Sequence, residues 1–170
     1  MSVHRLVKFM LVLAFLCCVV SALAQQPAAI SPLTPYGPPV SVETARKAAG
    51  AAVAEARKNN WLMAVAVVDP AGDLVYYEKM DNTQLGSAKV AVNKARSAAL
   101  FKRPTKAFQD ALAAGGPGLR ILGIEGAVPV EGGVPLLVDG KIIGAIGLSG
   151  DTSEHDGQCA RAGVDAIQKP

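Results

Sequence analysis

The chain has 170 residues, with 17 Lys and Arg against 14 Asp and Glu and a formal charge of +3 with histidine neutral. That near-balance, with only 5% aromatic residues, excludes a basic stripe of the kind that grips nucleic acid. Three cysteines, two of them adjacent at Cys17 and Cys18, exclude a disulfide-built scaffold.

The first 24 residues read as a processing segment. His4, Arg5 and Lys8 form a basic start, Phe9 to Val20 is unbroken and apolar, and Ala22-Leu23-Ala24 offers a small-x-small cleavage site. The apolar run is roughly a dozen residues, short of the ~20 a spanning helix needs. A signal peptide over 1–24, cleaved after Ala24, predicts a periplasmic or secreted protein with no stable membrane anchor. Losing Arg5 and Lys8 with it brings the 17 basic residues to 15, against 14 acidic ones. Cys159 is then the one thiol left, so stability must come from the core or from subunit contacts. Residues 25–40, rich in Pro, Ala, Ser and Gln, predict an extended linker or an arm that wraps a neighbouring subunit.

The single domain, 41–170, opens with a helix from Ser41 to Asn59. Ser41 suits the N-cap, Glu43 the first turn, and Arg57 and Lys58 the last. Its apolar face, Val42, Ala45, Ala49, Ala52, Val53 and Ala56, is nearly all alanine and can lie close to a sheet. Trp61–Asp69 and Asp73–Lys79 form a hairpin around Asp69-Pro70-Ala71-Gly72. Its first strand is continuously apolar, while the second alternates Leu74, Tyr76 and Glu78 against Val75, Tyr77 and Lys79. A second helix runs from Ser87 to about Phe101, with Lys89, Lys94 and Arg96 expected on a solvated face. A short third helix starts at Pro104. Gly-rich 113–118 is a loop, and 119–130 reads as a helical turn or an edge strand.

The second hairpin is the clearest stretch. Val134–Val138 and Lys141–Leu148 flank Asp139-Gly140, a pair suited to a type I′ turn with φ > 0 at both residues. Gly144 and Gly147 predict a bulge or the close approach of a helix or a ligand. Ser149-Gly150 leads into a last helix opened by Asp151, Thr152 or Ser153, a strand–turn–helix junction suited to an anion. Hairpins imply antiparallel strands, so the fold class is α+β: a sheet of two hairpins flanked by helices.

Three blocks resemble the GlcG/HbpS family: Val67–Asp81, Lys94–Thr105, and Gly132–Gly150 continuing into Asp156, Cys159 and Ala160–Gly163. The resemblance covers nearly all of the chain after the signal segment. It implies a profilin-like sheet and assembly into homo-oligomers. It also implies a haem or related tetrapyrrole as ligand, without settling any activity.

Candidate ligands follow from residue chemistry. His155, in the first turn of the last helix, can serve as an axial haem ligand or proton carrier, or stand as an exposed polar residue. Cys159, one turn on, is either a thiolate ligand near a helix start or a small core residue. Tyr76 and Tyr77 offer phenols to a porphyrin or pack in the sheet. Lys102, Arg103 and Thr105 place two bases and a hydroxyl at a helix start, suited to haem propionates or a small carboxylate, with Thr105 the alternative to His155 for approaching the iron. Ser149 and Gly150 form the turn for that same anion. Asp69, Asp73, Glu78 and Asp81 form either a loose cation site or solvated turn carboxylates. The chain carries no HExxH, CxxC or Walker A motif, so no catalytic residue is assigned. Haem binding is therefore the expected function. A small hydroxy acid in the periplasm, or a structural role beside another exported protein, are the alternatives.

Overall fold

The computed structural model describes residue 31 and residues 33–168; the expected signal peptide, 1–24, lies outside them. The elements are α1 (Val42–Lys58), β1 (Ala64–Val68), β2 (Leu74–Lys79), α2 (Ser87–Leu100), α3 (Thr105–Ala113), a 3-10 helix (Gly116–Gly123), β3 (Gly133–Val138), β4 (Lys141–Ser149) and α4 (Ser153–Gln168). The four strands form one antiparallel sheet in the order β2-β1-β4-β3. The two hairpins thus join side by side through β1 and β4, as the α+β reading expects.

Helices cover both faces of the sheet. Val65, Val67, Ile146 and Leu148 point to α1 and α4, whose facing residues include Ala45, Ala49, Ala52 and Cys159. Ala64, Ala66, Val68 and Ala145 point the other way, to Ala91, Ala95 and Ala98 of α2. β1 is buried on both faces, which is why it reads as a continuous apolar run instead of an alternation. Alanine on the helices lets backbones approach, and Gly147 takes this furthest: a Cβ there would collide with the Ala91 carbonyl of α2. The close approach expected at Gly147 is therefore a helix. The ladder between β3 and β4 also shifts register between Leu136 and Leu137, opposite Gly144. Asp139 and Gly140 have φ of 50° and 71°, as their turn requires.

Three expectations need correction. The alternation read for β2 is broken by a bulge opposite Val67 and Val68, which puts Val75 and Tyr76 together on the α1 side. The loop expected at 113–118 is shorter, since a 3-10 helix takes 116–118 and runs on to Gly123 as the helical turn read for the start of 119–130. From Pro35 onward the arm is packed, because β4 outruns β1. The Ile142 N–H donates to the Pro35 carbonyl at 2.9 Å, and the Gly37 and Val40 amides donate to Ile142 and Ile143. The arm thus completes its own sheet where β1 has ended, satisfying backbone groups that would otherwise stay unpaired.

Candidate functional site

α4 begins where β1 starts and β4 ends, and its first turn sends adjacent side chains in opposite directions. Asp156 points inward. Its Oδ2 accepts from Lys94 Nζ at 2.6 Å, with side-chain exposures of 3% and 1%. Its Oδ1 accepts the Asp151 N–H at 3.4 Å, and the Gly150 amide also favours its charged form. Burial pushes the Asp156 carboxyl above its usual range, against the pull of Lys94 and these amides. The Gly150 and Asp151 amides, at the turn read as an anion site, face the protein's own Asp156 carboxylate. Gly150 is sealed from beneath as well, since a side chain there would strike the Leu62 carbonyl.

His155 points outward. Its Nδ1 lies 2.9 Å from Asp151 Oδ1, and its ring stacks on Trp61 with centroids 3.8 Å apart and planes 13° from parallel. The Thr152 amide, then the His155 ring, hold the Asp151 carboxyl below its usual range, so it is an acceptor at neutral pH. The proton of a neutral imidazole therefore sits on Nδ1, leaving the Nε2 lone pair directed away from that bond. A carboxylate behind a histidine in this way fixes the tautomer and ring orientation, as it does behind metal-bound imidazoles. The His155 side chain is 37% exposed. Leu62, next to Trp61, and Leu85, next to the Gln84 that donates to the Gly150 carbonyl, are exposed by 42% and 85%.

The other expected ligands are engaged elsewhere. Lys102 Nζ donates to the Thr34 carbonyl at 3.0 Å and lies 4.2 Å from the Tyr36 ring centroid, so it holds the arm down. Arg103 Nε donates to the Phe101 carbonyl and the guanidinium stands over Phe108. Thr105 is fully buried and its Oγ1 accepts the Gly133 N–H at 2.9 Å, locking α3 to the start of β3. Ser149 is buried and its hydroxyl donates to Ser87 Oγ at 3.3 Å. Cys159 is a core residue rather than a thiolate: burial pushes its thiol up to about 12. Asp69 Oδ1 accepts the Ala71 and Asp73 amides, which makes it part of its turn. No group of three or more His, Cys, Asp or Glu able to hold a metal ion occurs among the described residues.

The structure also separates what the sequence reading brought together. Tyr36, beneath Lys102, pairs with Ile142, whereas His155 follows the Ser149 end of β4. Those two positions are seven residue steps apart along the strand, about 23 Å at ~3.3 Å each. Lys102 and His155 therefore stand towards opposite ends of β4. Lys94 was missed altogether, expected in solvent and found buried. Its signal was position: it stands three residues after Ala91 and four before Ala98, on the alanine face itself.

A family model described as haem degrading protein HbpS-like matches residues 40–165. The chain belongs to this HbpS-like family. It is 40% identical over 95 residues to Protein GlcG of Escherichia coli K12, covering 56% of this chain and 69% of that one. Its fold is similar to a double-mutant form of Streptomyces reticuli HbpS, with TM-score 0.70 and 31% identity over 86% of this chain and 99% of that one. It is also similar to PduOC in a haem complex, with TM-score 0.68 and 28% identity over 75% and 94% of the two chains. The GlcG/HbpS resemblance read from the three blocks therefore holds.

Proposed function

We propose that this protein is exported and binds haem, with His155 Nε2 as the ligand to iron. The carrying observation is the anchored imidazole: Nδ1 is held at 2.9 Å by Asp151 and the ring is braced on Trp61, so Nε2 is presented in one orientation. The HbpS-like family match and the similarity to a chain solved with haem support the choice of ligand. Bound there, haem would supply an iron centre, and His155 is the residue that would hold it. What this chain contributes is the oriented base, the Asp151 carboxylate behind it, and the exposed Leu62 and Leu85 for an apolar ring. Propionate contacts would come from outside this end of the sheet, and a second copy in a homo-oligomer is the natural source. Export rests on the 1–24 segment. A small acid at the Ser149-Gly150 turn would compete with the Asp156 carboxylate, whose Oδ1 accepts the neighbouring Asp151 amide, and this favours haem over the small-acid alternative.

Haem titration of the wild type beside His155→Ala tests this. A saturable Soret band in the wild type that shifts or disappears in the variant is expected. An identical band in both would remove His155, and no band in either would remove haem.

A further inference from the structure

β2 is one outer strand of the sheet, and α2 crosses the face beside it. The bulge in β2 leaves Leu74 and Tyr77 on the α2 side, opposite Val68 and Ala66. Ala88 and Val92 of α2 meet them, and together they wall an open groove of ≈ 420 Å³. That volume falls within the roughly 300–1,000 Å³ of small-molecule sites. Leu74 and Tyr77 stay 49% and 38% exposed, apolar surface that the fold itself does not cover.

The rim carries one sign of charge. Lys89, Asn93 and Arg96 lie one helical turn apart on the same stripe as Val92, and the lining holds no carboxylate. Arg96 is also prepared. Its Nε donates to the Gly72 carbonyl at 3.0 Å, which sets the guanidinium plane and leaves the terminal nitrogens for a forked contact with an acid.

We infer that this groove binds a flat aromatic carboxylate, its ring on Leu74, Tyr77 and Val92 and its acid group on Arg96, with Lys89 adding charge. The site needs no metal. It lies on the α2 face of the sheet, whereas Trp61 and its stacked His155 pack towards the α1 and α4 face. The inference therefore stands apart from the haem reading.

Calorimetric titration with 2-naphthoate tests it, with naphthalene-2-carboxamide as the uncharged control. One saturable site is expected, with the amide roughly ten-fold or more weaker because the charge-assisted contact is lost. Val92→Glu and Arg96→Gln should each weaken naphthoate by a similar factor, while His155→Ala leaves it unchanged. Leu74→Asp, on the opposite wall, repeats the test should a helix variant lose its thermal unfolding transition. Equal binding of acid and amide, no saturable heat, or full affinity in both Val92→Glu and Leu74→Asp would overturn the site. Haem that displaces naphthoate and still binds His155→Ala would support the groove and overturn the assignment of iron to His155.

Discussion

His155 and Asp156 are neighbours on one helical turn, and their surroundings give them unrelated work. Asp156 is sealed against Lys94, Gly150 and Asp151, in a medium where an unmatched charge is costly. His155 keeps an open edge and is braced only on one face and one nitrogen. Residue type alone would rank both as candidates for binding. Burial decides that the carboxylate closes the fold and the imidazole faces out.

The contrast can be broken from the inside first. Asp156→Ala leaves Lys94 buried without its partner and should cost about 3–5 kcal/mol in urea unfolding. Lys94→Met with Asp156→Leu removes both charges and should recover most of that loss; a double variant no better than the single would show that the pair is not what matters. Thr105→Val deletes the acceptor of the buried Gly133 amide and should cost about 1–3 kcal/mol in the same assay.

The outer residue should respond weakly in stability and strongly in binding. His155→Ala loses its stack on Trp61, worth about 0.5–1.5 kcal/mol, yet is the variant expected to change the haem spectrum. Trp61 is the one tryptophan in the chain, so its emission reports the stack directly.

Two pH effects sharpen the same contrast. The Cys159 thiol is raised in the folded state from 9.0 to about 12, so its contribution to stability is complete below the unfolded value and lost as pH climbs between the two. Alkylation of Cys159, followed by peptide mapping at pH 8, should therefore be slow in folded protein and fast in urea. Asp151 has the opposite sign. Its carboxyl is lowered, so its stabilising effect is present above the ordinary carboxylate range and lost as pH falls through the folded value. Asp151 is partly exposed, and the effect should be the smallest here and shrink with salt. Trp61 emission across mild acid should show it in the wild type and lose it in Asp151→Asn.

Local patterns in the chain carried the elements well. Ser41 caps α1 through its Oγ, Asp139-Gly140 turns the second hairpin, and the β1 apolar run is a central strand. The β2 bulge escaped because alternation is a local pattern and a bulge is set by the partner strand. The arm escaped because its role depends on β4 being longer than β1, a fact about two distant segments.

From sequence came the α+β class, the two hairpins and the first helix, because turn chemistry, capping and apolar period act over a few residues, while the family was legible only as a resemblance carried by three longer blocks. Tertiary structure alone decided which charges are buried. Lys94 and Asp156 are 62 positions apart, and only the crossing of α2 over the sheet brings them to 2.6 Å. It decided also that Lys102 and His155 stand at opposite ends of β4, and that α2 and β2 leave a groove between them. Ligand sites in this protein are made by separations and approaches between elements, and no local pattern encodes those distances.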